Sequence, residues 1–193
     1  MRAGGPVAAA KKALRARLIA GRAEFSPAGR EAAGDAIRAV LLDTPEIAAA
    51  ASVAAYVSIG AEPPTAPLLD ALRERHVEVL LPVLRADNDL DWARYDGTLV
   101  SGRHGLLEPA RERQGTEAIG TVDVVLVPAL AVDRAGRRLG RGGGSYDRAL
   151  ARLAPAAWTV ALLYDGELLD DVPAEKHDHP VDAAAAPAGI VRF

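Results

Sequence analysis

Apolar positions recur every three or four residues along the N-terminal part of the chain, and from residue 52 onward they come in short unbroken runs. The first pattern belongs to helices with one buried stripe, the second to strands buried on both faces. Leu14, Leu18 and Ile19 form the stripe of a helix over residues 8–24, with Lys11, Lys12, Arg15, Arg17 and Arg22 around it. Ser26-Pro27 starts a second helix, Ser as its cap and Pro at its first position, with Ala33, Ile37, Val40 and Leu41 inward. Asp43-Thr44-Pro45 ends that helix near residue 42. Residues 52–58, 78–81, 121–127 and 158–164 read as strands, with Pro82 closing the second and Pro128 the third. Residues 65–75 and 146–153 read as helices. Residues 90–95 alternate weakly, as an edge strand with Trp92 and Tyr95 in the core, and 189–193 form a short closing strand. The alanines at 183–186 carry no signal. Strands and helices alternate, which predicts a three-layer α/β/α, Rossmann-like fold: a mostly parallel sheet with right-handed crossovers, one domain over residues 1–193.

Composition narrows the class. Half the residues are hydrophobic and 25% are charged, as in an ordinary globular protein, but only 4% are aromatic, so Ala, Val and Leu must build the core. The absence of cysteine excludes disulfides and thiolate metal sites. No apolar run approaches the ~20 residues of a membrane span. Residues 1–6 lead into a charged helix without a secretory apolar core, so a cytoplasmic protein away from membranes is expected. A net charge of −3 argues against a general nucleic-acid binder.

Against that acidic balance, one basic loop stands out. After Pro128 come Asp133 and then Arg134, Arg137, Arg138 and Arg141, threaded through Gly136, Gly140, Gly142, Gly143 and Gly144, with Asp147 at the start of the next helix. Glycines bring bare N–H groups close to a ligand, arginine forks match phosphate oxygens, and a helix start favours negative charge. No Gly-Lys-Ser/Thr follows, so this is not a P-loop, and Ser145 stands where G-x-G-x-x-G needs its third glycine. Two readings remain: a flexible Gly/Arg surface loop, or a phosphate site with a cation beside it at Asp147. Elsewhere, Lys11 and Arg15 share one helix face, which from spacing alone reads as a solvated basic face. Glu62 lies beyond the carboxyl end of the 52–58 strand, where ligands of open sheets gather. Glu108-Pro109 reads as a turn.

The run Leu139-Gly140-Arg141-Gly142-Gly143-Gly144-Ser145-Tyr146-Asp147-Arg148, preceded by Pro128-Ala129-Leu130-Ala131-Val132-Asp133, resembles the signature of the 5-formyltetrahydrofolate cyclo-ligase family. Its pattern reads roughly P-G-L-A-F-D-x-x-G-x-R-L-G-R-G-x-G-Y-Y-D. The chain departs from it at Ala129, Val132 and Ser145, the last replacing a tyrosine. Three further elements are similar to the family's: Lys11 and Arg15 to its N-terminal K-x-x-x-R, Gly105 to Pro109 to G-I-x-E-P near the pterin pocket, and Val172 to Asp178 to V-P-x-x-x-H-D. The resemblance spans essentially the whole chain and implies the same Rossmann-like fold.

The resemblance implies ATP-driven closure of 5-formyltetrahydrofolate to 5,10-methenyltetrahydrofolate, with Mg²⁺ as cofactor and ATP and reduced folate as partners of a monomer. It places Lys11, Arg15, Arg138, Leu139, Gly140, Arg141, Gly142, Gly143, Gly144, Ser145, Tyr146 and Asp147 on ATP. Glu62, Arg141, Gly142, Gly143, Gly144 and Ser145 face the folate, Arg141 and Tyr146 serve the chemical step, and Asp147 and Asp178 hold the metal. His177 reads as a structural histidine, and Asp182 as a weaker acidic candidate. Ser145 cannot stack on a pterin or aminobenzoate ring, so weaker folate binding is expected. Two rivals are a non-catalytic nucleotide- or folate-binding module and an ATP-independent sugar-phosphate enzyme of similar architecture. Neither has a use for a pair of metal carboxylates.

Overall fold

The N-terminal helices begin where the chain sets a proline behind a capping residue. In a computed structural model that describes residues 5–175 and 178–193, these are α1 (Pro6–Ala23), α2 (Pro27–Leu42) and α3 (Pro45–Ala49). The Ser26 hydroxyl accepts from the Gly29 N–H at 3.0 Å and the Thr44 hydroxyl from the Ile47 N–H at 3.4 Å, satisfying donors that a helix start leaves open. Thr44-Pro45 therefore starts a helix that the sequence reading had missed.

The chain continues through β1 (Ser52–Ala54), α4 (Ala66–Glu74), β2 (Glu78–Leu84) and β3 (Leu90–Arg94), then a small hairpin of β4 (Leu99–Ser101) and β5 (Leu107–Pro109). Next come β6 (Val124–Pro128), β7 (Ala131–Asp133), β8 (Arg138–Leu139), α5 (Ser145–Leu150), β9 (Trp158–Leu162), β10 (Leu168–Leu169), β11 (Ala183–Ala186) and β12 (Gly189–Arg192). The main sheet has the order β12-β11-β9-β6-β1-β2-β3. Its inner strands are parallel, and the two edge strands, β12 and β3, run antiparallel to their neighbours.

Three expectations change. β2 runs through Pro82, which pairs opposite Trp92; β1 has already ended opposite Leu80, so the missing proline N–H interrupts no ladder on that side. β1 itself is three residues long, and the extended chain after it is held by Thr65, whose hydroxyl donates to the Tyr56 carbonyl at 2.8 Å. The alanines at 183–186 form β11, a buried strand beside β9, because small side chains suit a sheet covered on both faces.

Successive strand residues point to opposite faces and so divide two cores. Val53, Leu81, Leu126 and Val160 pack under α2, α3 and α4 against Ile37, Leu41, Ile47, Leu68 and Leu72. Ala54, Leu80, Val127 and Ala161 pack on the other face with Trp92, Ala149 and Leu150. That second layer is thin: α5 and the 3₁₀ turn Thr116–Thr121, which contributes Ile119. Helix α1 lies over a separate three-stranded sheet, β10-β7-β8, through Leu14 and Leu18, while Ile19 is exposed. Among the described residues, no helix is long and apolar enough to cross a membrane.

Candidate active site

From β1 the chain moves outward to β2 on one side and later places β6 on the other, so the strand order reverses between β1 and β6. Ligands of open α/β sheets bind beyond the carboxyl ends of strands at such a reversal. A cavity of about 270 Å³ lies there. The segment after β1 contributes Tyr56 and Glu62, the β2–β3 hairpin Leu84 and Leu90, β5 Leu107 and Glu108, the end of β6 Pro128, and the glycine-rich loop with the start of α5 residues 140–147.

Asp133 organises the start of the glycine-rich loop. Fully buried, it accepts from the Ala135, Arg137 and Val172 N–H groups and from Arg137 Nε at 2.6 Å. Burial alone drives its pKa up, but those four donors outweigh burial and hold it below the ordinary carboxylate value. Gly144 ends the loop with φ +70°, a left-handed conformation that L side chains adopt only with strain, and caps α5.

The predicted phosphate residues gather around this loop, but each is engaged by the protein itself. Arg138 is buried, donating to Asp147 Oδ1 at 2.7 Å and to the Pro128 carbonyl at 3.2 Å. Arg141 Nε donates to Glu62 Oε1 at 2.8 Å, so a residue assigned to both phosphate and folate meets one assigned to folate across the cavity. Arg15 Nε donates to the Gly140 carbonyl at 2.8 Å. Lys11, one turn away on the same face, is buried and lies 2.6 Å from Asp178 and 3.0 Å from Glu175. Burial lowers its pKa, yet the two carboxylates together raise it above the ordinary lysine value. Neither Lys11, Arg15 nor Asp178 lines the cavity. Leu139 is no wall residue either: its side chain fills the small-sheet core because it belongs to β8, leaving only backbone to face a ligand. Ser145, Tyr146 and Asp147 do line the cavity.

Of the two carboxylates predicted to hold metal, Asp147 is paired with Arg138 and Asp178 with Lys11. Among the described residues no group of three or more His, Asp or Glu side chains could hold a metal ion. Lys176 and His177 lie outside the described residues. Asp182 is structural: its Oδ2 accepts from the Thr159 N–H and hydroxyl and ties β11 to β9.

Comparison with known proteins gives the family. Residues 7–187 match the 5-formyltetrahydrofolate cyclo-ligase family. The chain belongs to that family. It is 44% identical to the 5-formyltetrahydrofolate cyclo-ligase of Mycolicibacterium smegmatis, over 94% of this chain and 96% of the relative. It is 29% identical to the Escherichia coli protein of the same name, over 88% and 96%. The solved 5,10-methenyltetrahydrofolate synthetase of Aquifex aeolicus superposes with a TM-score of 0.81 at 29% identity, covering 94% of this chain and 92% of that one.

In this cyclo-ligase-family chain the cavity also holds groups that sequence reasoning passed over. Glu108 is buried on the cavity wall, accepts only from the Leu84 N–H at 3.1 Å, and has no ion pair among the described residues. A Cβ on Gly102 would collide with its carboxyl, so the glycine makes room for the carboxylate. The Glu-Pro turn gave no hint of burial. Arg22, read as one of several basic surface positions, is buried instead; it grips Glu167 with two bonds of 2.7 Å and donates to the Ala129 carbonyl at the cavity edge. The departure at Ser145 has a local consequence. Its hydroxyl donates to the Asn88 carbonyl at 2.6 Å, beside Arg148, which donates to the same oxygen. Together with the Arg152–Asp89 pair they fasten the tip of the β2–β3 hairpin to α5 and the turn that follows it.

Proposed function

We propose that this protein closes 5-formyltetrahydrofolate to 5,10-methenyltetrahydrofolate, converting ATP to ADP and phosphate. One observation carries the reading: the Arg141–Glu62 pair joins the glycine loop to the segment after β1, so a phosphate side and a folate side share one cavity. The formyl oxygen attacks the γ-phosphorus and ADP leaves. N10 then attacks the activated formyl carbon, phosphate departs with its oxygen, and N10 gives up its proton as the bridge closes. No enzyme nucleophile is needed, so catalysis is positioning and charge stabilisation.

Lys11, Arg15, Arg138, Arg141 and the amides of Gly142, Gly143 and Gly144 hold phosphate. Glu62, Ser145 and Tyr146 face the folate. Burial, and then the nearby Glu62 carboxylate, push the Tyr146 phenol far above its ordinary pKa, so it serves as a hydrogen-bond donor and never as a base. Asp147 and Asp178 offer hard oxygen ligands suited to Mg²⁺, and each is held by a cation that phosphate would draw away. The ion, when bound, neutralises charge on the transferring phosphate.

The test is near-ultraviolet absorbance of the protein with 5-formyltetrahydrofolate and Mg²⁺. A methenyl chromophore should grow only when ATP is added, and Asp147→Asn should slow it by orders of magnitude. Saturable binding without any chromophore would mean a binding module.

A further inference from the structure

The cavity floor contains hydroxyl groups with nothing to bond to. Tyr56 is 4% exposed and lines the cavity, and its hydroxyl has no partner; the Tyr146 hydroxyl is in the same condition. A buried donor left unpaired forfeits its hydration without return, so a fold keeps one where a ligand or water completes it. Burial, and next the charge of Glu62, drive the Tyr56 phenol well above its ordinary pKa, so it is a donor at every accessible pH. Glu62 accepts from Arg141 Nε and the Ile59 N–H, one on each oxygen, and each carboxylate oxygen has a second lone pair to give.

We propose that Tyr56 is a specificity-determining residue that donates its hydroxyl hydrogen to the ring carbonyl, O4, of the reduced folate. The assignment rests on the folate reading above. The pyrimidine edge of a pterin presents an amino N–H and the N3–H followed by O4, two donors and then an acceptor. A carboxylate next to a phenol is the complementary array. A 4-amino analogue offers N–H where the pterin offers O4, and meets the Tyr56 donor with another donor. Sites built to bond a polar substrate group reject analogues that lack it, because the buried partner is left unpaired.

Calorimetric titration with 5-formyltetrahydrofolate and its 4-amino counterpart tests this on wild type, Tyr56→Phe and Tyr164→Phe. Tyr164 also buries an unpartnered hydroxyl, but away from the cavity wall. Tyr56→Phe should weaken the 4-oxo compound about tenfold and leave the 4-amino compound unchanged or tighter. Without ligand it should melt no lower than wild type, since it loses an unsatisfied group. Tyr164→Phe should bind both as wild type does. Unaltered 4-oxo affinity in Tyr56→Phe, equal losses for both compounds, or a lower melting temperature each overturns the assignment and leaves the folate reading standing. Wild type binding neither compound removes the folate reading and this assignment together.

Discussion

Lys11 Nζ donates to Asp178 Oδ2 across 2.6 Å, so the cation assigned to polyphosphate holds a carboxylate assigned to metal. Arg138 and Asp147 repeat the arrangement at 2.7 Å. Metal-free ATP that recruits Lys11 and Arg138 must pull each from a carboxylate, and the ion alone meets carboxylates already paired with cations. Bound together, phosphate would take the cations and leave Asp147 and Asp178 to hold the ion. ATP affinity should therefore rise about tenfold or more on adding Mg²⁺, a coupling of ordinary size. The telling variant is Asp178→Asn, which leaves Lys11 held by the Glu175 carboxylate alone. It should bind metal-free ATP more tightly than wild type while losing most of the gain from Mg²⁺. Weaker metal-free binding in that variant would falsify the exchange.

Ser145→Tyr restores a ring to the cavity wall and forfeits one of the two donors to the Asn88 carbonyl, leaving Arg148 in place. A stacked ring contributes about 1 kcal/mol. The Michaelis constant for folate should fall about fivefold, with the melting temperature changed little. A constant that stays level or rises contradicts the idea that Ser145 weakens folate binding.

Gly102→Ala probes Glu108 indirectly. The new methyl must displace the Glu108 carboxyl, because the collision is with that group. Overpacking of this kind costs about 1–3 kcal/mol. Denaturant unfolding should show that loss, and Glu108→Gln, which removes the charge but keeps the shape, should not. Both variants should bind folate more weakly if the buried carboxylate faces the substrate. Wild-type affinity in Glu108→Gln would make Glu108 a purely structural group.

Much of this was legible in order and little of it in pairing. Long apolar runs announced the parallel strands, and the Ser26-Pro27 cap placed α2 to the residue. The glycine loop was found because its residue types are rare in that combination. The pairing of Arg141 with Glu62 joins residues 79 positions apart, and no local pattern carries such a partner. Arg22 and Lys11 shared the composition of a solvated face, yet both are buried, because carboxylates from the C-terminal third reach them. β11 has no sequence signal because four alanines carry no periodicity, and α3 has a weak one because Thr44-Pro45 suits the end of α2 as well as the start of a helix.

Asp133 supplies an acid-stability signature that depends on no ligand. Its folded pKa lies below the unfolded value of 3.8, since the Val172, Arg137 and Ala135 N–H groups bond the ionised form more strongly than burial opposes it. A depressed carboxylate stabilises the fold fully above its unfolded pKa and loses that contribution as pH falls through the folded one. Asp133→Asn keeps an acceptor but no charge and turns an amide toward donors that need a second acceptor, so it should cost about 2 kcal/mol at neutral pH. The gap between the two unfolding free energies should be constant from pH 7 to about pH 5 and then close progressively in acid. A gap that stayed the same down to pH 2 would show that folding does not shift the Asp133 pKa, so its four donors would not favour the ionised form.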